Sequence, residues 1–315
     1  MKGSGQDAND LVKGYISPAL NTIGAGFAQA WYNTAKPYKL IGFDLTVTAS
    51  AIYFPSSDLT HKVENSQMTN VQVNVPPSTT TFVDAPTVFG SVTVPVYQLE
   101  DPLPPPNGPI LPMPVQNIQG APGLDFAKEV GTFIPVAKVQ LGIGLPKGTD
   151  LKFRFYPSTK VGDNGSASML GFGLMRDIKQ HIPSIKRLPF DLSVFVGYTN
   201  AKLDVGLDSN RPDQKANFET TATTVQALIS KKLSVLTFYG SLGYNFTIAS
   251  LVMKGTYAIN NSGKTIKGPV DFSVSNSGPR LTAGMRLKLF NLTFHGDYTF
   301  QKYNALTVGF GFNVR

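Results

Sequence analysis

Charged residues recur at alternate positions in segments that otherwise carry threonine, serine and glycine. They are Asp44, Lys138, Lys152, Arg154, Asp191, Arg280, Arg286, Lys288, His295 and Asp297. Cations outnumber anions in this set. If all face one interior, two chemistries are open. One is an anion-favouring passage, or a site for a ligand carrying a carboxylate. The other is structural: the charges pair across the interior, or with whatever fills it, because buried charges must find partners. The second weighs more. His295 and Asp297 lie two apart and so share a strand face, within reach of a common point, but no G-x-S-x-G elbow supplies a nucleophile. His61 and His181 fall in a loop and at a rim, and no metal-ligand spacing occurs. Gly171-Phe172-Gly173 and Gly309-Phe310-Gly311 alternate with apolar residues, so they are interior-facing strand glycines rather than phosphate loops. An enzyme is not expected, and no cofactor is implied.

Strands must position these residues. From Asn304 to Arg315, Leu306, Val308, Phe310, Phe312 and Val314 alternate with Thr307, Gly309, Gly311, Asn313 and Arg315. A period of two is a strand with one apolar and one polar face, and the polar face is expected to meet water. The first such strand is 40–54, with Phe43, Leu45 and Val47 opposite Asp44, Thr46 and Thr48. Others follow at 132–145, 149–157, 166–178, 188–206, 216–231, 233–250, 279–290, 291–302 and 304–315. These exceed ordinary globular strands and match the ~9–11 residues needed to cross a bilayer at a tilt. The fold class is therefore all-β: a transmembrane antiparallel barrel of about 10–14 strands with an N-terminal plug-like helical segment. The count rises from ten to twelve if Val88 to Tyr97 adds a hairpin.

Composition agrees. Only 15% of the 315 residues are charged, against ~25% in soluble domains. No apolar run approaches the ~18 residues of a spanning helix, so a membrane crossing must be made by a closed barrel. Aromatics gather near strand ends, among them Tyr53, Tyr156, Tyr198, Tyr244 and Tyr298, as in interfacial girdles. There is no cysteine, and the net charge of +8 is scattered rather than clustered. Nucleic acid is not an expected partner. The expected location is the bacterial outer membrane, with its lipid as partner.

Two regions stand outside the strand rhythm. Residues 1–38 form an apolar arm, with Asp10 able to cap a short helix that Pro18 limits or kinks. An arm this apolar is expected to fold as a plug into the barrel through Leu11, Tyr15, Ile23, Phe27 and Trp31. The barrel occupies 39–315 and carries a long Pro-rich outer loop at 55–131, which includes Pro102-Leu103-Pro104-Pro105-Pro106 and reads as extended polyproline chain. Long connections outside and short turns inside orient the barrel, with the first strand running outward from the periplasm. Arg176 to Arg187 exceeds a turn and predicts a small amphipathic helix at the inner rim.

The stretch Trp31-Tyr32-Asn33-Thr34-Ala35-Lys36-Pro37, running into Gly42-Phe43-Asp44-Leu45-Thr46-Val47, resembles the opening of an uncharacterised family of Bacteroidota outer-membrane β-barrels. Asp177-Ile178-Lys179-Gln180-His181-Ile182-Pro183, followed by Leu188-Pro189-Phe190-Asp191, is similar to the same family's middle. More loosely, an apolar N-terminal segment before a barrel is similar to FadL-type transporters of hydrophobic compounds, whose barrels have fourteen strands. That resemblance implies an N-terminal hatch, ligand capture by outer loops, and release by hatch movement or through a lateral opening. The expected function is passive transport of a hydrophobic or amphipathic small molecule. The alternative is a non-transporting scaffold or accessory subunit of an outer-membrane secretion or assembly complex, with the 55–131 loop as its protein-docking surface. A soluble β-sandwich or lipocalin-like binder fits the long strands and low charge poorly.

Overall fold

Alternation along Phe43–Tyr53 turns Phe43, Leu45 and Val47 outward and Asp44, Thr46, Thr48 and Ser50 inward. The same two-sided pattern repeats until the sheet closes on itself. The computed structural model describes residues 2–69, 71–73, 80–99, 116–129, 131–162, 164–208, 210–259 and 264–314. The barrel strands are β1 (Phe43–Tyr53), β2 (Phe133–Leu145), β3 (Thr149–Val161), β4 (Gly165–Asp177) and β5 (Asp191–Gly206). They continue as β6 (Lys215–Leu233), β7 (Leu236–Lys254), β8 (Asp271–Leu289), β9 (Leu292–Phe300) and β10 (Ala305–Val314). Each pairs antiparallel with its sequence neighbours, and β1 closes the ring against β10 in the register Phe43↔Val314.

Large apolar side chains cover the outside, including Leu141, Phe172, Val196, Ile229, Leu242, Phe246, Phe294 and Phe310. Closure satisfies the strand edges except along the upper part of the β2–β3 seam, and an apolar exterior is what hydrocarbon requires. A closed, even-stranded antiparallel barrel of this kind is a bacterial outer-membrane barrel. Among the described residues no helix is long and apolar enough to cross a membrane.

The interior differs from expectation. The polar wall face meets protein rather than water: Thr293, Thr307 and Asn313 are fully buried. Helix α1 (Lys2–Phe27) lies inside, against β1, β2, β6, β7 and β8, and residues 28–38 continue past it. Pro18 does not end or limit the helix. Pro18 has no N–H to donate, but the turn after it is reinforced where the Thr22 hydroxyl donates to the Pro18 carbonyl at 2.7 Å.

The turns at 146–148, 234–235 and 290–291 share one rim with 178–190, whereas the short connections from β3 to β4 and at 301–304 lie on the other. That segment contains only a 3₁₀ turn, Lys179–His181, not the amphipathic helix its isoleucines suggest. Ile182 and Leu188 are exposed, so the apolar face is only half packed and does not sustain a helix. The insertion after β1 sits on the opposite rim. Its strands pair only among themselves, Thr60–Glu64 with Phe82–Pro86, and Val96–Leu99 between Val71–Gln72 and Gln116–Gln119. They add no hairpin to the barrel, which stays at ten strands. The proline run 102–114 lies outside the described residues.

Helix α1 enters from this long-loop rim. Asp7 accepts the backbone N–H groups of Thr69 (2.7 Å) and Val71 (3.1 Å), and Tyr15 donates to the Pro122 carbonyl (3.0 Å). The helix then descends. Residues 31–38 continue to the short-turn rim, where the Tyr38 N–H meets the Asp150 carboxylate at 2.7 Å before the chain turns back as β1.

Candidate functional site

The lower lumen is closed by aromatic packing. Trp31, Tyr32, Ala35, Met175, Phe195, Leu228 and Tyr239 form one buried cluster. Trp31 lies 5.4 Å from the Phe195 ring. It fits because Gly173 and Gly197 have no side chains: a Cβ there would come within 2.9 and 2.7 Å of the indole. Polar groups hold the same region, the Tyr32 hydroxyl bonding Gln226 and Ser241.

Just above, three wall cations converge on the end of α1. Lys138 of β2 donates to the Gly26 carbonyl at 2.7 Å. Arg154 of β3 donates to Phe27 (3.0 Å) and Gln29 (2.7 Å), and its guanidinium stacks 3.5 Å over the Trp31 ring. Arg280 of β8 donates to the Ala28 carbonyl (3.0 Å) and the Gln29 side chain (2.6 Å). The last carbonyls of a helix lack intrahelical partners and carry the negative end of its dipole. The cation excess in the sequence is therefore matched here by peptide carbonyls rather than by acids.

The remaining charged candidates disperse. Asp297 accepts from the Tyr239 hydroxyl at 2.7 Å, whereas the His295 ring lies against Gly309. The two take different neighbours, a tyrosine hydroxyl and a strand glycine. Lys288 donates to the Asn313 side chain at 2.6 Å, which in turn donates to Asp44 at 3.1 Å. Lys152 lies 3.8 Å from Asp150. Arg286 is fully buried, and Asp191 has interior parity but is half-exposed at the short-turn rim. Of the arm residues, Leu11 packs under the insertion, Tyr15 reaches Pro122, and Ile23 and Phe27 line a cavity described next.

That cavity, about 660 Å³, lies beside the upper half of the barrel. Ile16, Leu20, Ile23 and Phe27 of α1 form one side; Met169, Ala201, Leu203 and Phe218 of the wall form another. Its size and apolar lining suit a small hydrophobic molecule. It also reaches Val47, Val139 and Phe155, whose side chains lie on the outer face.

The wall explains this reach. Strands β2 and β3 pair only from Gln140↔Arg154 to Leu145↔Thr149. Above that point 133–139 pairs only with β1, and β3 pairs only with β4, through a register shift between Tyr156 and Thr159. The seam is open to the side, and Phe155 and Tyr156 at its edge are 66% and 44% exposed. Pro135 and Pro157, one on each parted strand, lack the N–H that a ladder needs. The charged candidates gave no hint of this opening. Prolines inside otherwise regular strands were the available signal.

Comparison with known proteins adds a family. The model of a family of unknown function, DUF6588, matches residues 1–314. No curated protein matches the sequence. Solved structures similar to this chain include the translocator domain of the autotransporter NalP from Neisseria meningitidis (TM-score 0.33, 8% identity, 98% of each chain covered). Others are Ail, the attachment invasion locus protein of Yersinia pestis (TM-score 0.29, 8% identity, 87% of this chain and 99% of that one), and a deletion mutant of the monoaromatic hydrocarbon channel TodX (TM-score 0.24, 10% identity, 94% and 70%). TM-scores of this size leave function to be argued from the chain's own geometry. The chain belongs to the DUF6588 family.

Proposed function

We propose, from the parted seam, that this member of the family is a passive outer-membrane conduit for an uncharged hydrophobic small molecule. The plan is FadL-like in having an apolar N-terminal segment as plug and a side opening, though ten strands replace fourteen. The observation that carries this reading is the apolar cavity that meets both the lumen-side face of α1 and the lipid-facing edge of β2 and β3. A molecule there reaches the bilayer without moving the aromatic cluster around Trp31, whereas the direct path to the short-turn rim runs through it. The charged group that lines the cavity from the lumen side, Lys138, already donates to Gly26. An uncharged ligand therefore fits better than a carboxylate.

Filling the cavity tests the proposal. Ala167 lines it from β4, and Ala167→Trp adds a bulky ring with little demand on the ladder. Liposomes carrying the unsubstituted protein should take up a naphthylamine dye faster than empty ones, and Ala167→Trp should abolish the difference. Equal uptake through both proteins contradicts the proposal.

A further inference from the structure

Lys138 and Arg154 stand on opposite edges of the opening. Arg154 belongs to the last paired position of the β2–β3 ladder, and Lys138 lies two residues beyond Gln140 on the facing strand. Where strand pairing stops, both side chains turn to the same helical end: Lys138 to the Gly26 carbonyl, Arg154 to those of Phe27 and Gln29. Gln140 joins them, accepting from Arg154 Nε at 3.1 Å and donating to the Trp31 carbonyl at 3.1 Å. The peptide carbonyls at the end of α1 thus link the two strands through their side chains where the ladder stops.

We propose that Lys138 and Arg154 are positioning residues that couple the N-terminal segment to the lateral opening, so that the last turn of α1 sets the separation of β2 and β3. Above Gln140↔Arg154 no ladder fixes the distance between β2 and β3. Side chains anchored on one insert transmit its movement to both edges. Arg280 holds the same turn from β8, across the lumen, and gives the brace a fixed point. The coupling rests on the opening as a route only for its purpose; its geometry stands whether or not a ligand passes.

Spin labels read the separation directly. The chain contains no cysteine, so Ala137→Cys and Ser158→Cys, on the two parted strands at exposed positions, give a single labelled pair. In full-length protein in nanodiscs the labels should report one distance population. Adding Lys138→Met, or separately Arg154→Met, should shift or broaden it by at least roughly half the ~4.8 Å strand spacing. Lys288→Met removes a lumen cation that holds Asn313 of β10 and should leave the population in place. If Arg154→Met fails to fold, Lys138→Met and Lys138→Gln carry the test, since folded barrels are recognised by heat-modifiable gel mobility. An unchanged population in folded Lys138→Met overturns the proposal. An equal change in Lys288→Met also overturns it, by showing that losing any lumen cation loosens the wall. Dye uptake blocked by Ala167→Trp is read separately, so failure of the route and failure of the coupling are distinguishable.

Discussion

Replacing Trp31 by alanine should unseat the N-terminal segment without dismantling the barrel. The indole is 1% exposed, packs on Phe195 at 5.4 Å and lies under the Arg154 guanidinium at 3.5 Å. Removing a buried tryptophan costs about 3–5 kcal/mol, and loss of a desolvated cation–π contact falls within that figure. The loss acts on docking of the segment, because Trp31 belongs to no ladder. At about 1.4 kcal/mol per decade, the undocked population should rise by roughly 10²- to 10⁴-fold. Single-channel recording in planar bilayers reads that population as the frequency of large-conductance openings. Trp31→Phe provides the comparison. The indole N–H makes no hydrogen bond to any described residue, so phenylalanine strands no polar partner and should cost about 1 kcal/mol, roughly tenfold or less. Unchanged opening frequency in Trp31→Ala, with the barrel still folded, refutes the idea that this residue holds the segment in place.

Three further outcomes follow from named contacts. His61, in the outer cap, has its ring against α1, where a Cβ on Gly14 would lie 2.2 Å from it. Burial pushes its pKa below the usual 6.5, partly offset by the neighbouring Ala85 backbone. The undocked histidine then binds more protons in this window, so docking of the cap is complete above about pH 6.5 and weakens as pH falls toward the lowered value. Hydrogen-exchange protection over 60–64 and 82–86, corrected for the intrinsic pH dependence of amide exchange, should fall as pH is lowered from about 7.5 to about 5, and His61→Gln should flatten the dependence. Arg280→Met removes charged hydrogen bonds to Ala28 and Gln29, worth about 1.5–3 kcal/mol each, and should lower the urea midpoint for release of α1 measured by proteolysis. Gly173→Val should likewise expel Trp31, seen as a red-shifted tryptophan emission, because the chain has one tryptophan.

Much of the barrel was legible in the sequence because hydrocarbon outside imposes a strict period of two. Segments such as Phe43–Tyr53 and Ala305–Val314 can be read from alternation alone. Where one face loses that contrast, boundaries drift: β8 begins at Asp271, eight residues before the reading of 279, because Ser273, Ser275 and Ser277 occupy its outward positions. The Pro18 helix and the missing rim helix show tertiary packing overriding local signals in both directions. The candidate cavity was not legible. It depends on which strands fail to pair, a long-range property, and its lining residues such as Leu20, Met169 and Phe218 look like ordinary core. Tyr32, Tyr239 and Gln226 were also missed, since a tyrosine in the N-terminal segment, or a tyrosine or glutamine on a polar strand face, carries no mark of its partner.

The opening between β2 and β3 as a path for hydrophobic molecules is the central claim, and photolabelling tests it most directly. A diazirine-bearing alkane, illuminated with the protein in nanodiscs and mapped by mass spectrometry, marks the residues it touches. The account predicts adducts on Ile23, Phe27, Met169 and Phe218, suppressed in Ala167→Trp. Adducts confined to lipid-facing residues such as Leu242 and Phe246, with none in the cavity, would contradict it.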